Sequence, residues 1–384
     1  MKSEIPFGRP QLGDEEIAAA LAVLRGTQLV HGAVCHAFEE KFAARIGARF
    51  ATSVSSCTAG LHLALFTAGI GPGDEVVVPA MSHVATAHAV EYCGAKPLFV
   101  DVQPDTGNLD PDLLAAALSP TVKAVMVVHY LGLPADMDRV MAAANSVGAF
   151  VVEDCALAVD ATYGGRKVGA FGRAGSFSFY PVKHMTTLEG GMVTTDIAEV
   201  HAAIAKQKAF GYDRTPAQRT KPGIYDVDAL GFNYRMNELQ AAIGLAQLDR
   251  LSEFQAARER NFATIGAQVG SLDRVTVLPA RKGKAQSSHY CLNAVLPADG
   301  SIERDAVVGH LKAAGIGTSV HYPSALPMLS YYRNKYGYRA GQFPIAEWLA
   351  AQTISLPVGP HLDESDAERV GAAFVEAVRA VAGH

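Results

Sequence analysis

Two polar groups of the chain follow or end segments that are typical of buried β-strands, and a third lies at the start of a helix pattern. Lys183 comes three residues after the run GSFSFY, and Asp154 lies near the end of the run AFVVEDCA. Ser55 and Thr58 lie at the start of an apolar helix pattern. Because ligands of open α/β sheets lie beyond the carboxyl ends of the strands, we expect these groups to meet there. An amine, a carboxylate and a hydroxyl-rich helix start together indicate chemistry on a phosphate-bearing molecule.

Each of these groups alone has an ordinary structural explanation. A hydroxyl residue before a helix is a common N-cap, a lysine is usually a solvated surface residue, and a buried aspartate often caps a loop. Together they meet the needs of pyridoxal phosphate, which requires an amine for its aldehyde, a carboxylate for its ring nitrogen and a cup for its phosphate. The sequence therefore predicts a pyridoxal-phosphate site formed by Lys183, Asp154 and Thr58.

Strand and helix patterns alternate along the chain up to residue 196. The predicted strands cover residues 75–80, 96–102, 123–130, 149–156, 175–180 and 191–196. Several are almost continuously apolar, as expected when helices cover both faces of a sheet. Asp110 and Pro111 mark the start of one helix, and Gly148 marks the end of another. The alternation predicts an α/β fold with a mostly parallel sheet.

The pattern changes after about residue 235. An amphipathic helix pattern covers 236–265, short strands are predicted at 288–296 and 317–322, and a final helix at 364–381. We therefore expect two domains. Residues 1–248 would form a large cofactor-binding α/β domain with the N-terminal segment, and residues 249–384 a small α+β domain.

The composition is that of a folded globular protein, with 49% hydrophobic and 18% charged residues. The net charge of −5 offers no electrostatic basis for binding nucleic acid or an anionic membrane. We expect no signal peptide and no membrane span, because the sequence contains no apolar run of the required length. The five scattered cysteines lack paired spacing, which argues against a disulfide framework or a metal site. The predicted location is the cytoplasm.

Four segments resemble those of a known family. Residues 180–191, YPVKHMTTLEGG, match the pattern aromatic-Pro-x-Lys-x-x-Thr-Thr-x-Glu-Gly-Gly. Residues 151–172 resemble an aspartate-bearing strand, residues 55–90 a phosphate-loop and ring-stacking region, and residues 231–248 a segment that reaches a partner subunit. Over nearly its whole length the chain resembles the DegT-like (DegT/DnrJ/StrS) nucleotide-sugar aminotransferases. The resemblance implies the fold of the fold type I pyridoxal-phosphate enzymes.

The resemblance implies roles around the cofactor ring, and it also shows departures. Lys183 falls on the position that forms the Schiff base, and Asp154 on the position that faces the pyridine nitrogen. His83 stands where an aromatic residue usually stacks on the ring. Leu157 replaces a common Gln or His near the cofactor, and Cys57 replaces a common glycine beside the phosphate loop.

The resemblance also implies how the phosphate is held. Thr58 and Ala59 would bind it at the helix start, and Ser178 would add a hydroxyl group. Asn233 would reach it across the interface of a homodimer with shared active sites.

The implied reaction is transamination in two half-reactions. L-Glutamate would give its amino group to the cofactor and leave as 2-oxoglutarate. A keto group on a nucleotide-linked deoxyhexose would then receive the amino group, giving an amino sugar for surface polysaccharide or a glycosylated metabolite. The candidate substrate-binding residues are His184, Arg214, Arg219, Lys221, His321 and Tyr322.

Alternatives remain open for these residues and for the function. His184 could pack rather than relay protons, and His321 and Tyr322 could form a packed domain joint rather than the sugar pocket. The basic residues of 214–221 could belong to a solvated loop rather than bind a diphosphate. On the same scaffold, the protein could instead be a cyclitol aminotransferase, a sugar dehydratase or a non-catalytic cofactor-binding regulator.

Overall fold

The computed structural model describes residues 4–214, 221 and 223–383. Its strands, in chain order, are β1 (Phe50–Val54), β2 (Glu75–Pro79), β3 (Lys96–Val100), β4 (Val122–Val128), β5 (Phe150–Asp154), β6 (Thr162–Tyr163), β7 (Arg166–Lys167), β8 (Ala174–Ser178), β9 (Gly191–Thr195), β10 (Thr276–Val277), β11 (Arg281–Lys282), β12 (Ala285–Gln286), β13 (Leu292–Val295) and β14 (Thr353–Leu356). Its helices are α1 (Asp14–Leu24), α2 (Ala33–Ile46), α3 (Cys57–Phe66), α4 (Val84–Tyr92), α5 (Pro111–Ala117), α6 (Met137–Ser146), α7 (Ala198–Gln207), α8 (Glu238–Val269), α9 (Arg304–Ala313), α10 (Ser330–Tyr336), α11 (Pro344–Gln352) and α12 (Glu364–Ala382).

A seven-stranded sheet forms the centre of the fold, in the order β1-β9-β8-β5-β4-β2-β3. The neighbouring pairs from β8 to β3 are all parallel, whereas β9 pairs antiparallel with both β8 and β1. Strands such as β4, with the sequence VKAVMVV, are almost entirely buried because helices cover both faces. The predicted α/β fold with a mostly parallel sheet is confirmed.

The six predicted strands of this sheet are present, with ends that differ by one or two residues from the prediction. The sequence analysis missed β1, whose FATSV sequence contains two polar residues. The Thr52 hydroxyl lies 2.8 Å from Nδ1 of His201, and Ser53 donates to Glu39 from its backbone N–H and its hydroxyl. These contacts satisfy the polar groups and allow a polar strand to lie in the sheet.

The predicted strand at 317–322 is wrong, because only Ser319 makes a bridge there, with Ser355. The backbone N–H of Gly317 donates instead to the carbonyl of Ile5 at 2.7 Å. The chain therefore follows the N-terminal segment in this region rather than a strand of a sheet.

Local sequence accounts for several helix ends. The Asp110 carboxylate accepts from the backbone N–H groups of Asp112 and Leu113, and Pro111 fills the first turn of α5. Gly148, with φ of 72°, follows the end of α6 in the left-handed conformation. Asn237 caps α8 in a capping box with Gln240.

The C-terminal part contains the three-stranded sheet β10-β13-β14. This sheet packs with α8, α9 and α12 around an apolar core of its own that includes Leu292, Ile354 and Phe374. The four short strands β11-β12-β6-β7 join this part to the loop after β5. The predicted domain boundary at 248/249 falls within α8, and it stays a prediction.

Within the described part of the chain, no helix combines the length and the apolar character needed to span a bilayer.

Candidate active site

Lys183 lies in the turn after β8, and its side chain is half-buried. Nζ lies 5.3 Å from the centre of the Tyr290 ring. Burial lowers the pKa of the Lys183 amine, although nearby groups that include Asp154 act in the opposite direction. A larger fraction of the amine is therefore uncharged near neutral pH than for an ordinary lysine, and the uncharged form is the nucleophile.

The backbone of Lys183 is held on both sides. Its N–H donates to the carbonyl of Tyr180 at 3.0 Å, and its own carbonyl accepts from Arg258 at 3.4 Å. The same guanidinium donates to the carbonyl of Tyr290 at 2.9 Å. Arg258 is 5% exposed, and burial lowers its pKa to about 10. Arg258 thus connects α8 to the backbone of both Lys183 and Tyr290.

Asp154 ends β5, and its carboxylate is buried. Oδ2 accepts from the Thr86 hydroxyl at 2.8 Å, and Oδ1 accepts from the backbone N–H of Ala156 at 3.1 Å. Because an ionised carboxylate has about four acceptor positions, these two bonds leave capacity for a further donor. A protonated ring nitrogen would be such a donor.

The start of α3 offers an anion site. Ser56 is the N-cap, and its hydroxyl accepts from the backbone N–H of Ala59 at 3.1 Å. Thr58 is half-buried in the first turn, where helix N–H groups lack acceptors within the helix. A Cβ on Gly191 of β9 would lie only 2.5 Å from the carbonyl carbon of Ser56, so glycine allows the strand to approach this helix start closely.

The other two predicted phosphate residues lie in different environments. Ser178 ends β8 and is 9% exposed, whereas Asn233 is exposed. Asn233 lies between Phe232 and Tyr234, whose rings stack at 5.0 Å. The Tyr234 carbonyl accepts from the backbone N–H of Ser55 at 2.8 Å, so this segment borders the start of α3. Asn233 is thus held in place by its neighbours while its side chain remains accessible.

His83 is the N-cap of α4. Its Nδ1 accepts from the backbone N–H of Ala85 at 3.2 Å, which leaves the proton of the neutral ring on Nε2. Burial lowers the pKa of His83, and the Lys183 amine contributes in the same direction. The imidazole meets the Tyr322 ring edge to face at 5.9 Å. His83 therefore offers a neutral, fixed ring at the position predicted to stack on a cofactor.

The two other departures from the family pattern are buried. Leu157 is 4% exposed and belongs to the main apolar cluster. Sγ of Cys57 lies 3.9 Å from Oδ1 of Asp154 and 3.4 Å from the carbonyl oxygen of Ser176. Burial, reinforced by the Asp154 charge, raises the pKa of the Cys57 thiol. Cys57 is thus a neutral neighbour of the carboxylate.

His321 and Tyr322 lie beside the Lys183 amine. The His321 ring lies 5.6 Å from that of Tyr290 and 5.4 Å from that of Tyr322. Burial lowers the pKa of His321 to about 3, with a further contribution from the positive charge of Lys183. Burial also raises the pKa of the Tyr322 hydroxyl, so both side chains are neutral at pH 7.

A hydrogen-bond chain fixes the tautomer of His321. The Ser355 hydroxyl donates its only proton to Oδ1 of Asn293 at 2.5 Å. Nδ1 of His321, 3.0 Å from that hydroxyl, must therefore donate to it. Nε2 of the neutral ring carries a lone pair, and it can accept a hydrogen bond from a bound hydroxyl or amine.

His184 is 2% exposed, and its Nε2 donates to the carbonyl of Ser288 at 3.0 Å. Its ring lies against Tyr290 at 5.8 Å. These contacts favour the packing alternative for His184 over a contact with substrate.

Two of the three basic candidates of the 214–221 segment belong to the described residues. Arg214 is exposed and pairs with Asp213, with Nε 2.6 Å from the carboxylate. Lys221 is also exposed, and Arg219 lies outside the described residues.

Sequence reasoning missed several residues of the site. Thr86 bonds Asp154, Tyr290 lies under the Lys183 amine, and the Tyr130 hydroxyl donates to the carbonyl of His321. Of these, Thr86 alone had a local signal, since it lies one helical turn after His83 on α4.

The described residues fit pyridoxal phosphate. The buried Lys183 amine, the partly unsatisfied Asp154 carboxylate and the start of α3 lie around the same strand ends. They supply the nucleophile, the partner for a protonated ring nitrogen and the anion-binding N–H groups that this cofactor needs.

Comparison with known proteins agrees with this geometry. Residues 10–375 match the model of the DegT/DnrJ/EryC1/StrS aminotransferase family. The chain is 37% identical over 381 residues to the spore coat polysaccharide biosynthesis protein SpsC of Bacillus subtilis (strain 168), covering 98% of this chain and 96% of that protein.

Solved structures share the whole fold. The PMP form of the putative sugar aminotransferase Spr1654 from Streptococcus pneumoniae has a TM-score of 0.92 at 27% identity, covering 98% of this chain and 100% of that one. DesI, solved in the presence of its TDP-sugar product, has a TM-score of 0.88 at 33% identity, covering 99% and 94% of the two chains. This chain therefore belongs to the DegT/DnrJ/EryC1/StrS aminotransferase family, and it is a pyridoxal-phosphate-dependent aminotransferase of fold type I.

Proposed function

We propose that this enzyme transfers an amino group from L-glutamate to a keto group of a nucleotide-linked deoxyhexose. The observation that carries the proposal is the buried Lys183 amine, which lies beside an Asp154 carboxylate with free acceptor capacity. The TDP-sugar product present with the related DesI supports a nucleotide-linked acceptor. The likeness to SpsC supports a place in the synthesis of amino sugars for surface polysaccharide.

In this proposal Lys183 has two tasks. When bound, pyridoxal phosphate supplies a ring that withdraws electrons from the substrate carbon that carries the amino group. Nζ of Lys183 would hold the cofactor, and once free it would move a proton between the substrate carbon and the cofactor carbon. Burial favours the uncharged amine that both tasks require.

Asp154 and the phosphate site hold the cofactor in this proposal. The Asp154 carboxylate keeps the ring nitrogen protonated, since a nearby anion favours the charged form of a base. The N–H groups at the start of α3, with the hydroxyls of Thr58 and Ser178, would bind the phosphate. The N–H of Ala59 would join them by exchanging its Ser56 acceptor for a phosphate oxygen. Asn233 of each subunit reaches the phosphate site of the other.

The sugar would lie against the side chains of His321 and Tyr322. Nε2 of His321 would accept a hydrogen bond from a sugar hydroxyl, because the bond to Ser355 keeps its proton on Nδ1. Arg214, Arg219 and Lys221 would bind the diphosphate. In Arg214 this requires the guanidinium to exchange its Asp213 partner for the phosphate, or to hold both.

A homodimer is proposed because large apolar side chains are exposed next to the site. Tyr180 and Leu188, on either side of Lys183 in sequence, are 47% and 44% exposed. Further exposed apolar residues border the segments around Asn233 and the start of α2: Leu29, Val30, Phe210, Ile224, Tyr225, Val227 and Leu230. An exposed apolar surface of this kind is typical of a subunit interface.

The proposal is tested by supplying L-glutamate and TDP-linked keto-deoxyhexoses to the cofactor-loaded enzyme and analysing the products by mass spectrometry. Formation of 2-oxoglutarate together with an amino sugar nucleotide is the expected result. Loss of a sugar hydroxyl without nitrogen incorporation would support the dehydratase alternative. Amination of a free cyclitol in place of any sugar nucleotide would support the cyclitol alternative, and no turnover would support a regulator.

A further inference from the structure

We propose that Thr86 is the positioning residue for Asp154, and that its hydroxyl fixes the rotation of this carboxylate during amino transfer. The inference rests on the proposed role of Asp154 at the cofactor ring nitrogen. Thr86 would not contact the reacting atoms, and it would act through the carboxylate alone.

The hydroxyl of Thr86 is a buried donor aimed at one oxygen of Asp154. Thr86 is fully buried in the first turn of α4, and its Oγ1 lies 2.8 Å from Oδ2. Asp154 is 6% exposed, so solvent offers its carboxylate few hydrogen bonds. Burial of a polar group is costly unless protein groups supply its hydrogen bonds. The Thr86 hydroxyl supplies one of them.

The carboxylate fixes the direction of this hydrogen bond, and the bond in turn fixes the direction of a second one, from Ser82. Oγ of Ser82 lies 2.7 Å from Oγ1 of Thr86, and Ser82 is 2% exposed. An ionised carboxylate can only accept, so the single Thr86 proton is directed to Asp154. Thr86 must then accept from Ser82. The order Ser82 to Thr86 to Asp154 leaves no competing acceptor for the Thr86 proton.

The other contacts of the carboxylate do not replace this bond. Oδ1 accepts from the backbone N–H of Ala156, two residues along the same chain segment. The thiol of Cys57 lies 3.9 Å from Oδ1, and thiols are weak donors. Oδ2 therefore depends on Thr86 for its side-chain hydrogen bond among the described residues. With Oδ1 held by the loop and Oδ2 by α4, the carboxylate plane is set from two elements.

The test uses Thr86→Val, which keeps the shape of the side chain and removes the donor. We expect kcat to fall on the order of ten-fold, because a hydrogen bond to a charged group is lost, while KM for L-glutamate changes less than two-fold. The pH titration of the visible absorbance of the cofactor-loaded enzyme should shift upward, since a less protonated ring withdraws fewer electrons from the lysine linkage. Thr86→Ser should restore both quantities.

Matched variants separate this role from packing and from the proposed function. Ser82→Ala removes only the donor to Thr86, and a smaller shift in the same direction is expected. Thr86→Ala provides a second donor-free variant if Thr86→Val does not fold. Asp154→Asn, measured in parallel, tests the role on which the inference rests.

The inference is overturned if Thr86→Val retains the wild-type titration and kcat while Asp154→Asn is impaired. It is also overturned if Thr86→Ser fails to restore the titration, since a role in packing alone would then explain the loss. Normal turnover by Asp154→Asn would overturn the proposed role of Asp154, and the inference with it.

Discussion

Two carboxylates that are adjacent in sequence at the end of β5, those of Glu153 and Asp154, differ in how many hydrogen bonds they accept. Glu153 accepts from three backbone N–H groups, those of Gly169, Phe171 and Gly172, at 2.7–2.9 Å. It also accepts from Nε2 of His129 at 3.2 Å. Asp154, on the opposite face of the strand, accepts from one hydroxyl and one backbone N–H at hydrogen-bonding distance. Glu153 has used its acceptor capacity, and Asp154 has not.

The difference follows from the strand geometry and from what each face meets. Successive side chains of a strand point to opposite faces. Glu153 points toward the loop of residues 166–172 and binds its backbone, whereas Asp154 points toward the start of α4 and the Lys183 amine. Burial is the largest single influence on the pKa of Glu153, and it acts to raise it. The hydrogen bonds from His129 and from the backbone together outweigh burial, so the pKa is lowered and the carboxylate stays charged. A buried carboxylate whose acceptor positions are all occupied has a structural role. A buried carboxylate with unoccupied acceptor positions can still bind a ligand.

His129, Glu153 and Cys155 bring their ligand atoms within 4.8 Å of one another, as metal ligands do. The hydrogen bonds explain this cluster without a metal. Nδ1 of His129 accepts from the backbone N–H of Ala135 at 3.2 Å, so Nε2 carries the proton that Glu153 accepts. Burial raises the pKa of the Cys155 thiol, which keeps it a neutral neighbour.

The largest expected effect on activity comes from Lys183→Ala, which removes the amine on the Asp154 side of the comparison. Removal of the amine removes the group that binds the cofactor and moves the proton, so amino transfer should fall on the order of a thousand-fold or more. The variant should lack the visible band of the lysine-bound cofactor and keep the far-UV circular dichroism of the wild type. An unchanged band with unchanged turnover would show that another amine performs this task.

Asp154→Asn tests the same side of the comparison without removing the amine. An amide cannot hold the ring nitrogen protonated as an anion does, so kcat should fall by about a hundred-fold, the equivalent of a shift of ~2 pKa units. Some cofactor should still bind, and the melting temperature should change little. Steady-state kinetics together with thermal unfolding measures both quantities. A near-normal kcat would mean that a different group protonates the ring.

Glu153→Gln tests the opposite side of the comparison. The amide group of glutamine would place N–H donors against the backbone N–H groups of Gly169, Phe171 and Gly172, and it would replace hydrogen bonds to a charge by weaker ones. The free energy of unfolding should fall by about 3 kcal/mol. We expect a lower free energy of unfolding in urea, while the folded fraction retains the cofactor band. The structural role would be contradicted by unaltered stability combined with lost cofactor binding.

The smallest expected effect is on the apoenzyme, from Lys183→Met. The pKa of the buried amine is below that of an unfolded lysine, because burial disfavours its charge. At pH 7 burial of this amine therefore destabilises the wild type, and the variant should be more stable. The difference in stability between the variant and the wild type should shrink as the pH rises toward the ordinary lysine pKa, since Lys183 then loses its proton in the unfolded state as well. Urea unfolding without cofactor, at pH 7 and at higher pH, checks the sign, and greater wild-type stability at pH 7 would contradict it.

Local pattern was sufficient to predict much of the fold and the cofactor-binding chemistry. Continuous apolar runs gave the strands β2, β3, β4, β5, β8 and β9, because burial on both faces leaves a strong signal. Lys183 and Asp154 were predicted from their positions at strand ends. β1 was missed because its polar residues are satisfied by partners distant in sequence.

Contacts between distant segments account for the rest. Two residues that contact Lys183, Tyr290 and Arg258, lie in the C-terminal part of the chain. No local sequence pattern indicates that these segments pack against Lys183. The hydroxyl of Thr86 resembles that of any buried threonine until the fold places it at Asp154. The tautomers of His83 and His321 likewise depend on hydrogen bonds that appear only in three dimensions. The sequence could name the reacting groups, but not the residues that position them.

The most direct measurement is the absorbance spectrum of the purified enzyme with pyridoxal phosphate, before and after addition of L-glutamate, with Lys183→Ala alongside. The proposed function predicts a visible band in the wild type that is replaced by the pyridoxamine form when glutamate is added, and no such band in the variant. A band that glutamate leaves unchanged would contradict glutamate as the amino donor. A band that persists in Lys183→Ala would contradict the central role of this lysine.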